Sequence, residues 1–472
     1  MDRRVVLPGI LAGALLLLPL FWVERVQSID LASRSYNAWL AQLIRQGELP
    51  GLTLEPLLVN ALFEHGFDLL LGLLTFPTAE RVAMAATLLV FGVGTGLWLR
   101  QAAGRFPWGL WPLLLVAAHG VVTQVGLLNF LLALGFGGAA GAALLGPGKV
   151  RWLTLPAILL SVAAHPAGAA MLGAPSLYLL ATRRFSGARQ AWIFGLAVAG
   201  LAGGTAFLTA AFDTFRIPLP LAFVGASTLV PYRPAYLVPA LVYLVLVAWM
   251  LVAASRARGF RITLTSPQAQ ITFLCALACL ILPSGVRLPL YTAHLTYLDQ
   301  RIALVVMLAT LAWLGTLPWP RVPRLGSTLV AVLYFGILAG DHRAFSRTDQ
   351  MLREAVMEAP PASRVVLPHR AQGYVLDPLR TALDRACIGH CFSYLNYEPA
   401  SGQFRIRAAP GNPFVVADGD RIGRFQNLEL EIRESDLPLY LVVLEEGRFR
   451  VRPATPGERI RRAPAPLPSG EP

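Results

Sequence analysis

The sequence predicts an all-α polytopic membrane bundle with a small C-terminal α+β or β domain. Three observations predict this class: 55% of the 472 residues are hydrophobic, only 14% are charged, and the mean hydropathy is +0.57, well above that of soluble chains. We expect a transmembrane domain over 1–341, an extracytoplasmic domain over 342–454 and a disordered, proline-rich tail over 455–472.

Eleven apolar runs predict the membrane spans, because about 20 such residues cross the hydrocarbon core as a helix. No small-x-small cleavage site follows the first run, so we expect a retained helix rather than a signal peptide. The predicted spans lie near 5–23, 81–99, 109–124, 127–146, 152–164, 166–182, 191–211, 234–255, 268–283, 300–317 and 325–341.

The positions of the charges predict the orientation. The predicted inner segments hold fourteen basic residues and one acid, whereas the outer loop over 24–80 holds three basic residues and seven acids. Since Lys and Arg accumulate on the cytoplasmic side, we expect the N-terminus inside and the C-terminal domain outside. The net charge of +13 thus belongs to the loops of a membrane protein, and we expect no nucleic-acid partner.

The outer loop predicts two further segments at the membrane surface. Residues 31–46 place apolar side chains on one helical face and predict an interfacial helix. The segment 56–74 is apolar enough to enter the membrane, but Glu64, His65 and Asp68 would be costly against lipid. We interpret it as interfacial or re-entrant, because a further span would invert every later loop against the charge rule.

A helix over 347–358 and short alternating runs such as "NLELEI" and "RFRVRPA" predict the C-terminal domain. Cys387 and Cys391 would face an oxidising compartment there, which favours a disulfide bond across one turn. Free thiols are one alternative. A metal site with His390 is another, but three ligands fall short of a structural set of four. We therefore predict the bridge and no metal.

The chain shows no metal-ligand spacing, phosphate-binding glycine loop or Ser/His/Asp signature, and "GVGTG" at 92–96 lies within a span, which predicts helix packing. Polar side chains collect instead at the predicted outer ends of the helices. Solvation or snorkelling explains any one of them, but their collection on one side predicts a functional site. The candidates are Asp30, Arg34, Tyr36, Asn37, His65, Asn129, His165, Arg233, Arg287, His294 and Arg301.

Four segments carry a resemblance to a known family: "SYNAWLAQLIRQGELPGL", "GLLNFLLALGFG", "AAHPAG" and "DQRIAL". Over residues 1–345 the chain resembles bacterial integral-membrane glycosyltransferases of the GT-C type. The resemblance implies an enzyme of the inner membrane, surrounded by membrane lipids, with the C-terminal domain in the periplasm. It implies a polyprenyl-phosphate sugar as donor, no cofactor, an envelope glycan or lipid as acceptor, and inversion at the transferred sugar.

The resemblance assigns Asp30 as the catalytic base, and a partly desolvated carboxylate near the interface has the chemistry for that role. Many family members carry an acidic pair where this chain has one acid. A structural alternative stays open, in which Asp30 is a helix cap or the i,i+4 partner of Arg34. Candidates to bind the leaving phosphate are Arg34, Arg233, Arg287 and Arg301, with His165 and His294 as further donors.

Two other functions compete with this expectation. A transporter or flippase would place polar groups deep in several helices and would show inverted internal repeats. A non-catalytic scaffold or sensor would be anchored by the bundle and would act through residues 342–472.

Overall fold

The computed structural model describes residues 3–219, 221–289, 294–317, 322–402, 404–427 and 429–467. A helix overlaps each of the eleven predicted spans. The helices of this part of the chain are α1 (Arg3–Leu17), α2 (Ile29–Arg45), α3 (Leu62–Leu71), α4 (Phe76–Ala103), α5 (Trp111–Ala118), α6 (Val121–Val125), α7 (Leu128–Leu145), α8 (Thr154–Ala164), α9 (Pro166–Thr182), α10 (Ala188–Ala211), α11 (Leu237–Arg258), α12 (Phe260–Thr265), α13 (Pro267–Ile281), α14 (Leu298–Gly315), α15 (Val322–Val356), α16 (Ala382–Cys387), α17 (Glu398–Ser401) and α18 (Gly419–Asn427).

Seven helical stretches of the described chain are long and apolar enough to cross a membrane, which indicates a membrane protein. The helical bundle of the predicted class is therefore present, while the number of eleven spans stays a prediction. The seven stretches are Phe76–Ala103, Trp108–Val125, Leu128–Leu145, Ala188–Ala211, Pro234–Arg258, Leu298–Gly315 and Pro323–Val356.

Helices α4 and α7 pack closely through glycines in the centre of the bundle. A Cβ at Gly135 would lie 2.5 Å from the carbonyl oxygen of Val90, and one at Gly138 would lie 2.7 Å from that of Gly94. Neither site accepts a side chain without moving a backbone. The glycines of "GVGTG" are thus packing residues, as predicted, because small residues let helices approach closely in lipid.

Helix α2 lies between the bundle and the rest of the chain rather than on the membrane surface. Leu31 and Ala38 belong to the core of the bundle, while Tyr36 and Leu40 belong to a second core formed with residues after 356. All four side chains are fully buried. The helix predicted over 31–46 is present, but the predicted interfacial position is not observed because protein covers both of its faces.

The segment 56–74 contains the short helix α3. Its ten residues rise only about 15 Å, against a hydrocarbon core of about 30 Å, so α3 is too short to span. Phe63 and Phe67 pack inward, whereas Leu69 and Leu73 are 72% and 79% exposed. This arrangement suits the interfacial or re-entrant interpretation, which stays a prediction.

Helix α15 runs without a break across the predicted domain boundary at 342. Its 35 residues join a membrane span to the helix that was predicted to be separate. Asp341 and His342, which begin the polar stretch, are buried. Arg233 Nε forms an ion pair with Asp341 Oδ1 at 2.9 Å, and His342 Nε2 lies 3.0 Å from Gln124 Oε1. The polar composition that begins near residue 342 therefore does not mark the end of the helix, because these polar groups are paired inside the protein.

Residues 357–467, called the C-terminal part below, form an α+β structure. A four-stranded sheet has the order β10-β9-β4-β6, with β10 antiparallel to β9 and β4 parallel to both of its neighbours. The strands of the described chain are β1 (Leu52–Leu54), β2 (Asp213–Phe215), β3 (Gly285–Arg287), β4 (Arg364–Val366), β5 (His369–Ala371), β6 (Phe392–Ser393), β7 (Ile406–Ala408), β8 (Leu430–Glu431), β9 (Leu439–Glu445), β10 (Arg448–Pro453), β11 (Arg459–Ile460) and β12 (Ala463–Ala465).

Strands also join distant segments of the chain. β1, from the first outer loop, pairs with β7, and β2 pairs with β3. The tail predicted to be disordered over 455–472 contains β11, which pairs with β8, and β12, which pairs with β5. That prediction is therefore wrong for 455–467, because main-chain pairing orders a segment of low sequence complexity; residues 468–472 lie outside the described residues.

A buried ionic network fastens the C-terminal part to the bundle. Arg385 of α16 donates to Asp349 Oδ2 at 2.8 Å and to the Val26 carbonyl oxygen at 2.9 Å, and its Nε lies 3.6 Å from Glu80 Oε1. Glu80 also accepts from Arg25 at 2.6 Å. Glu80 is fully buried and Arg385 is nearly so. The network therefore connects α4, α15, α16 and the chain between α1 and α2.

Candidate functional site

A cavity of about 960 Å³ lies where several helix ends meet the C-terminal part. Its wall includes residues from the first turns of α2, α7 and α14 and from the turn between α8 and α9, which all face the same end of the bundle. The structure thereby gathers side chains that are far apart in the sequence. The predicted site residues in this wall are Asp30, Arg34, Asn129, His165, His294 and Arg301.

Asp30 faces the cavity as an unpaired acid. Among the described residues no hydrogen bond or ion pair engages its carboxylate, and Ser28 rather than Asp30 holds the N-cap position of α2. Burial raises the pKa of the Asp30 carboxyl above its ordinary value, and the nearby Arg34, Arg380 and Arg301 oppose this shift without cancelling it. The carboxylate is therefore available to accept a proton.

Arg34 pairs with Glu64 instead of Asp30. The two side chains form an ion pair, and the Arg34 guanidinium stacks 5.6 Å from the centre of the Phe63 ring. Asn129 fixes this arrangement, because its amide donates to Glu64 Oε2 at 2.7 Å and accepts from the backbone N–H of Phe63 at 2.8 Å. The alternative in which Asp30 serves as the ion partner of Arg34 is thus not observed.

Arg301 is a buried cation with free hydrogen-bonding capacity. It is 6% exposed, its guanidinium lies 5.5 Å from the centre of the Phe130 ring, and its Nε and Nη1 have no hydrogen-bond partner among the described residues. His165 packs edge-on against the same ring, and its Nδ1 also lacks a partner there. Burial lowers the pKa of His165 to about 3, so the imidazole is neutral at physiological pH.

Two predicted residues of α2 point away from the cavity and bind the C-terminal part. The Tyr36 hydroxyl accepts from the backbone N–H of Ser393 at 2.9 Å, and Asn37 Oδ1 accepts from Asn396 Nδ2 at 2.7 Å. Both side chains are buried. The structure therefore assigns them to the junction between the two parts and not to the cavity wall.

Three predicted residues, Arg233, Arg287 and His65, do not line the main cavity. Arg233 is engaged by Asp341 in the bundle, as described above, and Arg287 pairs with Asp213 at 2.8 Å across the β2–β3 ladder. His294, which does line the cavity, lies 3.4 Å from the same Asp213 carboxylate. His65 contacts a backbone carbonyl at 3.0 Å and lines a neighbouring, smaller cavity.

The sequence analysis missed several cavity residues. Arg380 and Tyr397 come from the C-terminal part, and Arg380 Nη1 donates to the hydroxyl of Tyr297 at 3.2 Å. Burial raises the pKa of the Tyr397 hydroxyl well above its ordinary value, so it stays protonated. Only Tyr297, which directly precedes the "LDQRIAL" segment, had a signal in the sequence.

The predicted disulfide bond is not formed in the structure. Cys387 and Cys391 are free, fully buried thiols at the end of α16, where the backbone N–H of Cys391 donates to the Cys387 carbonyl oxygen at 3.1 Å. They pack in the apolar core that also contains Tyr36. Within the described ranges, no group of three or more His, Cys, Asp or Glu side chains is arranged to hold a metal ion.

Comparison with known proteins places the chain in no family. No protein-family model matches it, and a search of the curated proteins finds no match. The chemistry of the cavity is therefore the basis for a functional assignment.

The cavity wall holds charged groups of both signs: the carboxylates of Asp30, Asp418 and Asp420 and the guanidiniums of Arg34, Arg301, Arg380 and Arg424. Asp30 lies near Arg34, Arg301 and Arg380, and of these three only Arg34 has an ion partner among the described residues, Glu64, which lies outside this wall. A guanidinium binds two oxygens of a phosphate at once, and burial strengthens that attraction. The site can therefore hold a phosphate ester while a carboxylate removes a proton from a second molecule.

Proposed function

We propose that the protein is a GT-C-type membrane glycosyltransferase that moves a sugar from a polyprenyl-phosphate donor to an envelope glycan or lipid on the outer face of the bacterial inner membrane. The observation that carries the proposal is the unpaired Asp30 carboxylate beside the buried, unsatisfied guanidinium of Arg301 in one cavity. The resemblance of residues 1–345 to that family supplies the donor and acceptor classes.

In this mechanism the acceptor hydroxyl loses its proton to Asp30 as its oxygen attacks the anomeric carbon of the donor. The bond from that carbon to the phosphate oxygen breaks, and the polyprenyl phosphate leaves with the electron pair. The attack from the opposite face inverts the anomeric carbon. Arg301 and Arg34 stabilise the charge that grows on the leaving oxygen. Such electrostatic stabilisation by preorganised groups is usually the largest single contribution to the rate enhancement.

The position of the cavity supports a reaction at the membrane boundary. Asn129, His165 and Arg301 lie at ends of helices that cross or enter the bundle, so a headgroup at the bilayer surface reaches them while its hydrocarbon chain stays in lipid. With the N-terminus in the cytoplasm, as the loop charges predict, this end of the bundle and the C-terminal part face the periplasm.

The test compares Asp30→Asn with Glu48→Gln, an exposed acid just after α2. Each variant is expressed in a strain that lacks the protein, and the envelope glycans and glycolipids are measured by mass spectrometry at matched protein levels. Loss of one product in the Asp30 variant alone is expected. An unchanged product would overturn the proposal and favour a scaffold.

A transporter is the second candidate, because a chain of buried polar groups penetrates the bundle. Gln124 Oε1 accepts from Tyr232 at 2.9 Å, and Gln124 Nε2 donates to the His119 carbonyl oxygen at 2.9 Å. His342 completes the chain. Substitution of His342 by Leu separates the two functions: a transporter loses flux, whereas the transferase keeps product formation while Asp30 is intact.

A further inference from the structure

A second cavity, of about 270 Å³, lies beside the main one. Its wall combines the chain between β1 and α3 with Glu398 of α17 and with Phe404 and Arg405, which precede β7, so it exists only because the C-terminal part packs on the segment after α2. Asn60 and Phe404 line both cavities, so one ligand can extend from one into the other.

Glu398 is the unexplained group of this second cavity. Its side chain is 5% exposed and lines the cavity, yet the described residues offer its carboxyl neither a hydrogen bond nor an ion pair. Burial raises the pKa of Glu398 to about 8, although Arg34 and Arg405 lower it. The carboxyl of Glu398 therefore opens onto the cavity with its hydrogen-bonding capacity unused by the described residues, so it is available to a ligand there.

Apart from Glu398 and the exposed Glu55, the charged side chains that line the second cavity have ion partners. Glu64 pairs with Arg34, while Arg45 and Arg405 both bind Asp68, at 2.5 Å and 2.6 Å. No cation in the described wall is left to attract an anion, in contrast to Arg301 in the main cavity. The wall therefore does not favour an anionic ligand, whereas a neutral ligand with hydroxyl groups can hydrogen-bond to the protonated carboxyl of Glu398.

The size and surface of the cavity suit a single ring. Its volume lies just below the range of about 300–1,000 Å³ that drug-sized ligands occupy, which is too small for a long lipid chain. The Phe404 ring, held edge-on by Tyr397 at 5.6 Å between centres, and the side chains of Pro56 and Leu57 provide apolar surface. A protonated carboxyl next to an aromatic face is suited to a sugar ring, which has both apolar C–H and polar O–H faces.

We infer that the second cavity binds a neutral sugar ring of the acceptor, with Glu398 hydrogen-bonded to its hydroxyl groups, so that the acceptor is a saccharide. The acceptor role rests on the proposed function, whereas the binding of a sugar ring does not. Glu398 would act as a specificity residue contributed by the C-terminal part.

The test measures the binding of methyl glycosides of glucose, mannose, galactose and arabinose to the full protein in lipid nanodiscs, by saturation-transfer NMR. Glu398→Gln keeps a donor and an acceptor and should bind like the wild type. Glu398→Leu fills the same space without polar atoms and should weaken binding at least 10-fold. Glu358→Leu, an exposed glutamate outside the cavity, is the matched control.

Further variants separate the two cavities. Asp30→Asn and Arg301→Gln should keep glycoside binding, since both residues line only the main cavity of the two. Unchanged binding in Glu398→Leu, no binding of any glycoside to the wild type, or loss of binding in Asp30→Asn would each overturn the inference. The proposed function is tested by a different measurement: it would be wrong if Asp30→Asn still formed the envelope product.

Discussion

Gly126 lies so close to Asp30 that a Cβ at position 126 would stand 2.7 Å from the Asp30 Cβ and 2.9 Å from its backbone nitrogen. Gly126 also has a φ of +95°, a conformation that residues with a side chain rarely adopt. The turn that ends α6 therefore serves as a backbone support behind the first turn of α2. The position of the Asp30 carboxylate depends on a residue that has no side chain.

Replacing Gly126 by Ala should displace Asp30 and destabilise the turn. We expect a loss of about 1–3 kcal/mol in stability from backbone strain and a fall of about 100-fold in transfer rate, because a misplaced reacting group is costly. Gly104→Ala is the control, since Gly104 also has a positive φ, +77°, but has no neighbour within 4 Å. Thermal unfolding and product formation are measured for both. Equal losses of activity would contradict the role of Gly126.

Arg301→Gln should weaken the binding of polyprenyl phosphate. A hydrogen bond to a charged group contributes about 1.5–3 kcal/mol, so we expect about a 10- to 100-fold rise in Kd. Arg301→Lys keeps the charge but loses the bidentate contact, so its Kd should lie between those of the wild type and Arg301→Gln. Arg256→Gln, an exposed arginine at the opposite end of the bundle, has the same change in charge and should bind normally. Normal binding by Arg301→Gln would remove the phosphate site from the main cavity.

The free energy of unfolding should fall as the pH rises, because Asp384 is buried and its pKa is raised in the folded state. Burial raises its pKa to about 7 in the folded state, against an ordinary value of 3.8, although Ser393 donates to it at 2.6 Å. Between pH 4 and pH 7 the folded protein thus binds more protons than the unfolded one, so stability is full below pH 4 and is lost as the pH rises through 7. Asp384→Asn should remove this dependence and raise stability at pH 8 by about 1–4 kcal/mol.

Asp436 offers a control of opposite sign. Burial favours a higher pKa, but hydrogen bonds from Arg421 and Tyr394 outweigh it and lower the pKa of Asp436 to about 2. Its contribution is complete above pH 4 and is lost only as the pH falls through 2. Asp436→Asn should therefore lose the same stability at pH 6 and at pH 8, in melting experiments run beside the Asp384 variant. A wild-type melting temperature that does not fall between pH 5 and pH 8 would contradict the Asp384 prediction.

Arg385→Met should loosen the C-terminal part from the bundle. The change leaves Asp349 and the buried Glu80 short of a cation, which costs about 3–5 kcal/mol when one partner of a buried ion pair is removed. Hydrogen exchange should rise in α16 while α4 stays protected. Arg450→Met, which breaks an exposed pair with Glu358, should cost less than about 1 kcal/mol. Equal losses of stability in Arg385→Met and Arg450→Met would show that the buried ionic network does not hold the C-terminal part on the bundle.

The sequence predicted what local periodicity encodes. A helix lies at every predicted apolar run. Asp30, Asn129, His165 and Arg301 were selected because ionisable and amide groups near lipid are costly unless they have a function. Their gathering into one cavity followed from helix ends that share a side of the bundle.

Contacts between distant segments were not encoded in that way. Arg380 and Glu398 reach the cavities through long-range packing, which local periodicity does not predict. The boundary at 342 was misplaced because composition registers polar atoms but not their partners, and Asp341 is paired inside the protein. The bridge between Cys387 and Cys391 was inferred from their spacing and from an expected oxidising compartment, and neither registers the apolar core that surrounds both thiols.

The unbroken helix α15 has a consequence for how substrates arrive. This helix of 35 residues, about 50 Å long, packs in the bundle at one end and in the C-terminal part at the other. The ion pair of Arg385 with Asp349 is a second connection between the two parts. Because α15 has no hinge between the two parts, neither part can swing out to collect a molecule from the surrounding solution. Whatever the cavities receive must travel to them, sideways through the plane of the bilayer or along the surface above it.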